Sequence, residues 1–120
     1  MQLRKLMIRS HPIDSTIPDD VIRFEQLKAA AGGRVPRLIR DIKPQYTAAA
    51  MSARAEGSVK LEALVGTDGT VRAVRVSRSL DPGLDLNAVA ALRGWKFTPG
   101  TLNGVPVPVI VEVEMEFTLK

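Results

Sequence analysis

Cysteine is absent from these 120 residues. That excludes disulfides, thiolate nucleophiles and cysteine-bound zinc. It leaves the compartment open, because a chain of this length can build a sufficient core without disulfides even where oxidation is permitted. Histidine occurs once, at His11, with no second histidine or cysteine to share a metal ion. Aromatic residues make up 4% of the chain, with one Trp and one Tyr. A nucleic-acid module needs a basic stripe interleaved with stacking aromatics, and none is visible. Long apolar runs are missing as well. No stretch approaches the roughly 18–20 residues that a membrane span needs. The opening MQLRKLMIRS has the basic flavour of a signal-peptide start, but Ser10, His11, Pro12 and Asp14 follow in place of an apolar segment. The chain as given is therefore expected to be soluble and unanchored. No Ser/His/Asp set, paired acid and base, or Gly-rich phosphate loop is present, so no enzyme chemistry, cofactor or metal is expected.

What remains is an ordinary globular composition. Hydrophobic residues make up 45% of the chain and charged residues 25%. That suits one domain with, at most, a tail. The net charge of +4 is unevenly placed. Residues 1–43 carry 9 Lys and Arg against 5 Asp and Glu, while residues 44–120 carry 8 of each. The basic excess therefore belongs to the N-terminal segment, which further weakens a nucleic-acid reading.

The clearest periodic stretch is residues 105–120, VPVPVIVEVEMEFTLK. Apolar side chains hold the odd positions from Val105 to Leu119, and Glu112, Glu114 and Glu116 fall on the even ones. Alternation of this kind predicts a long half-buried strand. Pro106 and Pro108 cannot donate to a ladder, so its start is expected at a sheet edge or outside the ladder. An edge strand offers free N–H and C=O groups to another chain.

Upstream, residues 1–34 read as a tail or linker, and 19–31 fit either a rough helical pattern or an extended piece. A short strand or extended lead-in fits residues 35–42. Thr47 is a plausible N-cap for a short alanine-rich helix that Gly57 closes. Residues 57–67 alternate as a strand. Asp68-Gly69 is a pair favoured where both central turn positions take positive φ, which predicts a tight hairpin. The return strand, residues 70–79, changes phase between Ala73 and Val74, which predicts a bulge near Ala73. Asp85 is expected to cap a second helix over 86–94, with Leu84, Ala88, Ala91, Leu92 and Trp95 on one face. Asn103-Gly104 is a second turn signal. The expected fold is α+β: two short helices packed on one face of a three-stranded antiparallel sheet, with a possible extra N-terminal strand. The domain is expected to span residues 35–120.

This pattern resembles the C-terminal domain of the TonB energy-transducer family. The resemblance is carried by Pro44-Gln45-Tyr46, Glu56-Gly57-Ser58-Val59, Asp68-Gly69-Thr70-Val71 and Val74-Arg75-Val76. It continues through Leu84-Asp85 with Ala88 and Ala91, then Trp95-Lys96-Phe97-Thr98-Pro99-Gly100, and ends with Asn103-Gly104-Val105-Pro106-Val107. Thr47 departs from it, standing where the family usually has proline. The resemblance implies a periplasmic, non-catalytic module. In the family, an inner-membrane motor complex drives the transducer through an N-terminal anchor, and this chain shows neither that anchor nor the proline-rich spacer. The C-terminal domain captures a short segment, the TonB box, of an outer-membrane transporter by strand addition beside its last strand. Carried onto this chain, the partner-binding residues are Val109, Val111, Val113 and Met115, mainly through their backbone. Pro44, Gln45 and Tyr46 match the family segment that lies near the transporter plug.

Plainer readings stand beside these. The three glutamates are expected to be a solvated face that guards an edge against aggregation. Trp95 is expected in the core rather than at an interface, and Gln45 fits either a partner contact or a loop hydrogen bond. Arg72, Arg75 and Arg78 are expected on a solvent face near acidic residues, where ion pairs contribute little. Two other functions stay open: an interaction or sensory domain appended to another membrane protein, and a self-pairing module that forms a homodimer through the same edge.

Overall fold

The computed structural model describes residues 17, 18 and 20–119. Half of the N-terminal tail expected over 1–34, including His11, lies outside the described residues. The element order is β1 (Ile22–Arg23), α1 (Phe24–Ala29), β2 (Gly33–Arg34), β3 (Leu38–Arg40), α2 (Ala48–Ser52), β4 (Gly57–Val65) and β5 (Val71–Arg78). It continues with α3 (Pro82–Arg93), β6 (Lys96–Phe97), β7 (Gly100–Leu102), β8 (Val105–Val107) and β9 (Val109–Phe117).

The central sheet has strand order β1-β9-β4-β5. Its three long strands are antiparallel, as the alternating sequence predicts. The fourth, β1, is only two residues long and runs parallel to β9, with Ile22 opposite Val109 and Arg23 opposite Ile110. Two small sheets flank it: β2-β7-β8 and β3-β6. The short strand expected over 35–42 is thus β3, paired with β6 rather than with the main sheet.

One face of the sheet carries the helices and the main core. Val59, Leu61, Ala63 and Val65 of β4 meet Val109, Val111, Met115 and Phe117 of β9, with Leu84, Ala88 and Leu92 of α3 above them. Leu27 of α1 is fully buried in the same cluster. The other face holds a smaller cluster of Ile17, Ala73 and Ile110, with Val21 and Leu64 against it. The segment from Ile17 to Leu27 therefore starts on the open face, wraps round the β9 edge as β1, and enters the helix side.

Several local expectations change. The strand expected over 105–120 is broken at Pro108, which lacks the N–H a ladder requires. Its first part, β8, turns back on β7 through Asn103 (φ 54) and Gly104 (φ 83), the double positive-φ turn of a two-residue hairpin. At residues 66–70 only Gly69 has positive φ (85). Asp68 instead accepts from the Thr70 backbone N–H (3.0 Å) and hydroxyl (2.7 Å). These bonds hold its carboxyl down at about 2. The bulge expected near Ala73 is found at Arg72, and a second occurs at Ser77. Helix α3 begins at Pro82, not near residue 86. Its cap is Asp81, whose carboxylate accepts from the Leu84 N–H at 3.0 Å. Thr47 caps α2, accepting from the Ala50 N–H at 3.0 Å.

Candidate functional site

The sequence places the site on the outer edge of β9. On its other side β9 is locked to β4 through nine successive pairs with no shift, from Gly57 opposite Phe117 to Val65 opposite Val109. Its outer side is taken by β1 opposite Val109 and Ile110 alone. Among the described residues, no strand lies beside residues 111–117 on that side. The sheet's other edge is β5, which has bulges at Arg72 and Ser77 and exposed arginines at 72, 75 and 78. Bulges and charge blunt an edge against strand addition. The regular edge is therefore the one on β9.

A groove of about 630 Å³ opens beside this edge, where the β1 ladder stops. Its apolar lining comes from Phe24 of α1, Pro36, Trp95, Phe97 of β6, and Val111 and Val113 of β9. The floor is pinned. The Trp95 indole N–H donates to the Ile42 carbonyl at 2.9 Å, and the Phe97 N–H donates to the Gly69 carbonyl at 2.9 Å. The two rings are 6.3 Å apart and tilted by 43°. Trp95 is only half-buried, so it lines the groove rather than filling the core.

Arg23, Glu25 and Glu112 also line the groove, and the edge's remaining charge lies on the opposite, open face. Glu112, Glu114 and Glu116 are exposed. Glu62, opposite Glu112 on β4, is buried and accepts from Arg23 and Arg75. Burial pushes its carboxyl up, but the hydrogen bonds and positive charge of Arg75 and Arg23 outweigh that and leave it below the ordinary range. Arg23 also stands 4.0 Å from Glu112.

Val109 lies opposite both Val65 and Ile22, so both of its sides are occupied. Val111 and Met115 point into the core and Val113 is half-buried, but the backbone N–H and C=O groups of all three face β4, so the even-numbered Glu112, Glu114 and Glu116 are the residues that present backbone groups to the open edge. The 44–46 segment sits at the far end of β9. Tyr46 meets Phe117 edge-on at 5.5 Å and donates its hydroxyl to the Ala55 carbonyl at 2.7 Å. Desolvation and the Glu56 charge raise the Tyr46 hydroxyl above its usual value. Gln45 is exposed, and its carbonyl accepts from the Asn87 amide at 2.7 Å. Pro44 is half-buried. The structure thus sets Tyr46 at one end of the edge and β1 at the other, with residues 111–115 between them. Sequence reasoning missed β1, since two residues have no period to detect. It also missed the groove, which needs Phe24, Pro36 and Trp95 brought together from distant positions.

The fold is that of a small α+β module with one regular strand edge, covered by another strand only at its start. The model of the Gram-negative bacterial TonB protein C-terminal matches residues 42–119. Protein TonB of Vibrio cholerae is 31% identical over 80 residues, covering 66% of this chain and 33% of that protein. Protein TonB of Xanthomonas campestris is 38% identical over 77 residues, covering 63% of this chain and 34% of that protein. The solution structure of the Pseudomonas aeruginosa TonB C-terminal domain superposes with a TM-score of 0.58 at 22% identity, covering 71% of this chain and 87% of that one. This last likeness bears on the fold alone. The chain belongs to the TonB C-terminal domain family. It spans about a third of the length of the TonB proteins it matches. Among the described residues no helix is long and apolar enough to cross a membrane.

Proposed function

We propose that this chain is the periplasmic, non-catalytic binding module of an energy transducer. It captures an extended segment, the TonB box of an outer-membrane transporter, by strand addition beside β9. In the whole protein, an inner-membrane anchor and motor complex would deliver the energy. The observation that carries this reading is the β9 edge: regular, free of strand partners at residues 111–117 among the described residues, and already holding one parallel strand at its start. Main-chain hydrogen bonds along such an edge grip many extended sequences, and side-chain pockets select among them. Family membership supports the transporter as partner. Residues 44–46 would then contact the transporter near the captured segment.

Titration of the ¹⁵N-labelled chain with short peptides resembling TonB boxes tests the proposal. Amide shifts are expected at residues 110–117 and near Gln45. Glu112→Pro, at an exposed position whose N–H faces away from β4, removes one edge donor and should abolish them in a folded protein. Unchanged binding by that folded variant would sink strand capture. Light scattering over a concentration series checks the competing use of the edge, pairing with a second copy.

A further inference from the structure

The ladder that β1 starts on β9 ends at Ile110, and the groove begins there. Residues in register on neighbouring strands share a face. Ile22, opposite Val109, packs on the core side, and Arg23, opposite Ile110, lies on the open face and reaches Glu62. A strand continuing along the same edge would alternate in the same way. Its side chains opposite Val111 and Val113 would enter the groove between Phe24, Trp95 and Phe97. Its side chain opposite Glu112, and the one opposite Glu114, would stand beside exposed carboxylates.

Those carboxylates are not equally matched on the domain side. Glu114 lies opposite Lys60, but Glu112 lies opposite Glu62, which takes up Arg75 and is the nearer partner of Arg23, and Arg23 reaches Glu112 only at 4.0 Å. A further carboxylate from an added strand would meet like charge directly alongside, which is unfavourable, whereas a cation would be attracted.

Resting on the capture reading above, we infer that the groove is a side-chain pocket for the added strand and that the two faces of β9 select its sequence. The segment it fits carries apolar residues opposite Val111 and Val113. Opposite Glu112 and Glu114 it carries basic or uncharged residues, and carboxylates are rejected. The occupant is an extended segment of a partner protein, held by backbone hydrogen bonds and read by this alternation.

Three capped peptides of equal length test this on the full 120-residue chain: an alternating Val-Lys sequence, an alternating Val-Glu sequence, and a Ser-Lys sequence lacking the apolar set. The readouts are amide shifts at residues 111–115 and the fluorescence of Trp95, the only tryptophan in the chain. The Val-Lys peptide should bind about tenfold more tightly than Val-Glu. Net charge cannot produce that order, because a chain at +4 attracts the acidic peptide. Val-Lys should shift the Trp95 emission to the blue, and Ser-Lys should leave it unchanged. Glu112→Lys with Glu114→Lys, both exposed changes, should reverse the preference between Val-Lys and Val-Glu. Equal affinity for these two at the edge overturns the selection and leaves capture standing. Edge shifts from Val-Lys without a Trp95 response overturn the pocket. No edge binding by any of these peptides or by TonB-box peptides overturns capture, and this inference with it.

Discussion

Arg23 and Glu62 are 39 residues apart in sequence and meet across the full width of β9. Arg23 lies on the outermost strand, and Glu62 lies on the strand beyond β9. Their ion pair, shared with Arg75, ties the wrapping N-terminal segment to the sheet.

Glu62→Gln removes the charge that both arginines share. A loss of about 1.5–3 kcal/mol is expected, the scale of hydrogen bonds to a charged group. The folded-state carboxyl is held below its ordinary value by Arg75 and Arg23, against the upward push of burial. Its contribution is therefore complete above the unfolded glutamate value and is lost as pH falls through the lower folded value. Denaturation followed from pH 7 down to pH 3 should show a shallower acid slope for the variant. Parallel slopes would mean that the pair does not stabilise the fold.

Leu27→Ala tests whether the N-terminal segment is part of the folding unit. Leu27 is fully buried against the main core, although it lies ahead of the family-matched region. A core truncation of this type costs about 2–5 kcal/mol through lost burial and a residual cavity. One cooperative transition at lower denaturant is the expected result in an unfolding experiment. A midpoint matching the parent would make α1 an independent appendage.

Gly69 and Gly104 both have positive φ, yet they should respond very differently to alanine. A Cβ on Gly69 would lie 1.9 Å from the Phe97 carbonyl oxygen, while a Cβ on Gly104 meets nothing within 4 Å. Gly104→Ala carries only the backbone penalty, about 1 kcal/mol. Gly69→Ala must also push β6 away and break the bond between the Phe97 N–H and the Gly69 carbonyl. A melting-point loss at least twice as large is expected for Gly69→Ala, and Trp95 fluorescence should change with it, because Phe97 forms the groove floor beside Trp95.

Most of this fold was legible in the sequence because its long elements carry a period. Residues 57–65 and 109–117 alternate cleanly, and the core side of each is the apolar side. The edge reading rested on Pro106 and Pro108, which cannot donate to a ladder, and the strand that occupies the start of the β9 edge was not foreseen. Ile22 and Arg23 pair with β9 through tertiary placement, in a stretch whose apolar residues also suit a helix, and α1 does follow at once. Phe24, Pro36 and Trp95 share no local pattern, so a groove made of them appears only after folding. The turn at Asp68-Gly69 was located correctly but not its type. The dipeptide permits two positive φ values, whereas Thr70 draws the Asp68 carboxylate into a different turn. The start of α3 was misplaced for a related reason: Asp81 and Asp85 are both credible caps, and only the structure separates their tasks.

Those two aspartates hold the start of α3 in different ways. Asp81 caps α3 through one bond, to the Leu84 N–H. Asp85, within the helix and 6% exposed, faces back to the loop and accepts from the Ser79 hydroxyl and from the Leu80 and Asp81 N–H groups. Removing a cap costs about 0.5–2 kcal/mol, since water can replace its single bond. Removing Asp85 strands several donors around a buried site, at about 1–3 kcal/mol for each donor left unpaired. Asp85→Ala should therefore destabilise more than Asp81→Ala in parallel denaturant titrations. It should also loosen the β5–α3 connection, read as faster amide exchange at Leu80 and Asp81. The reverse order would show that capping, not the buried carboxylate, holds α3 on the sheet.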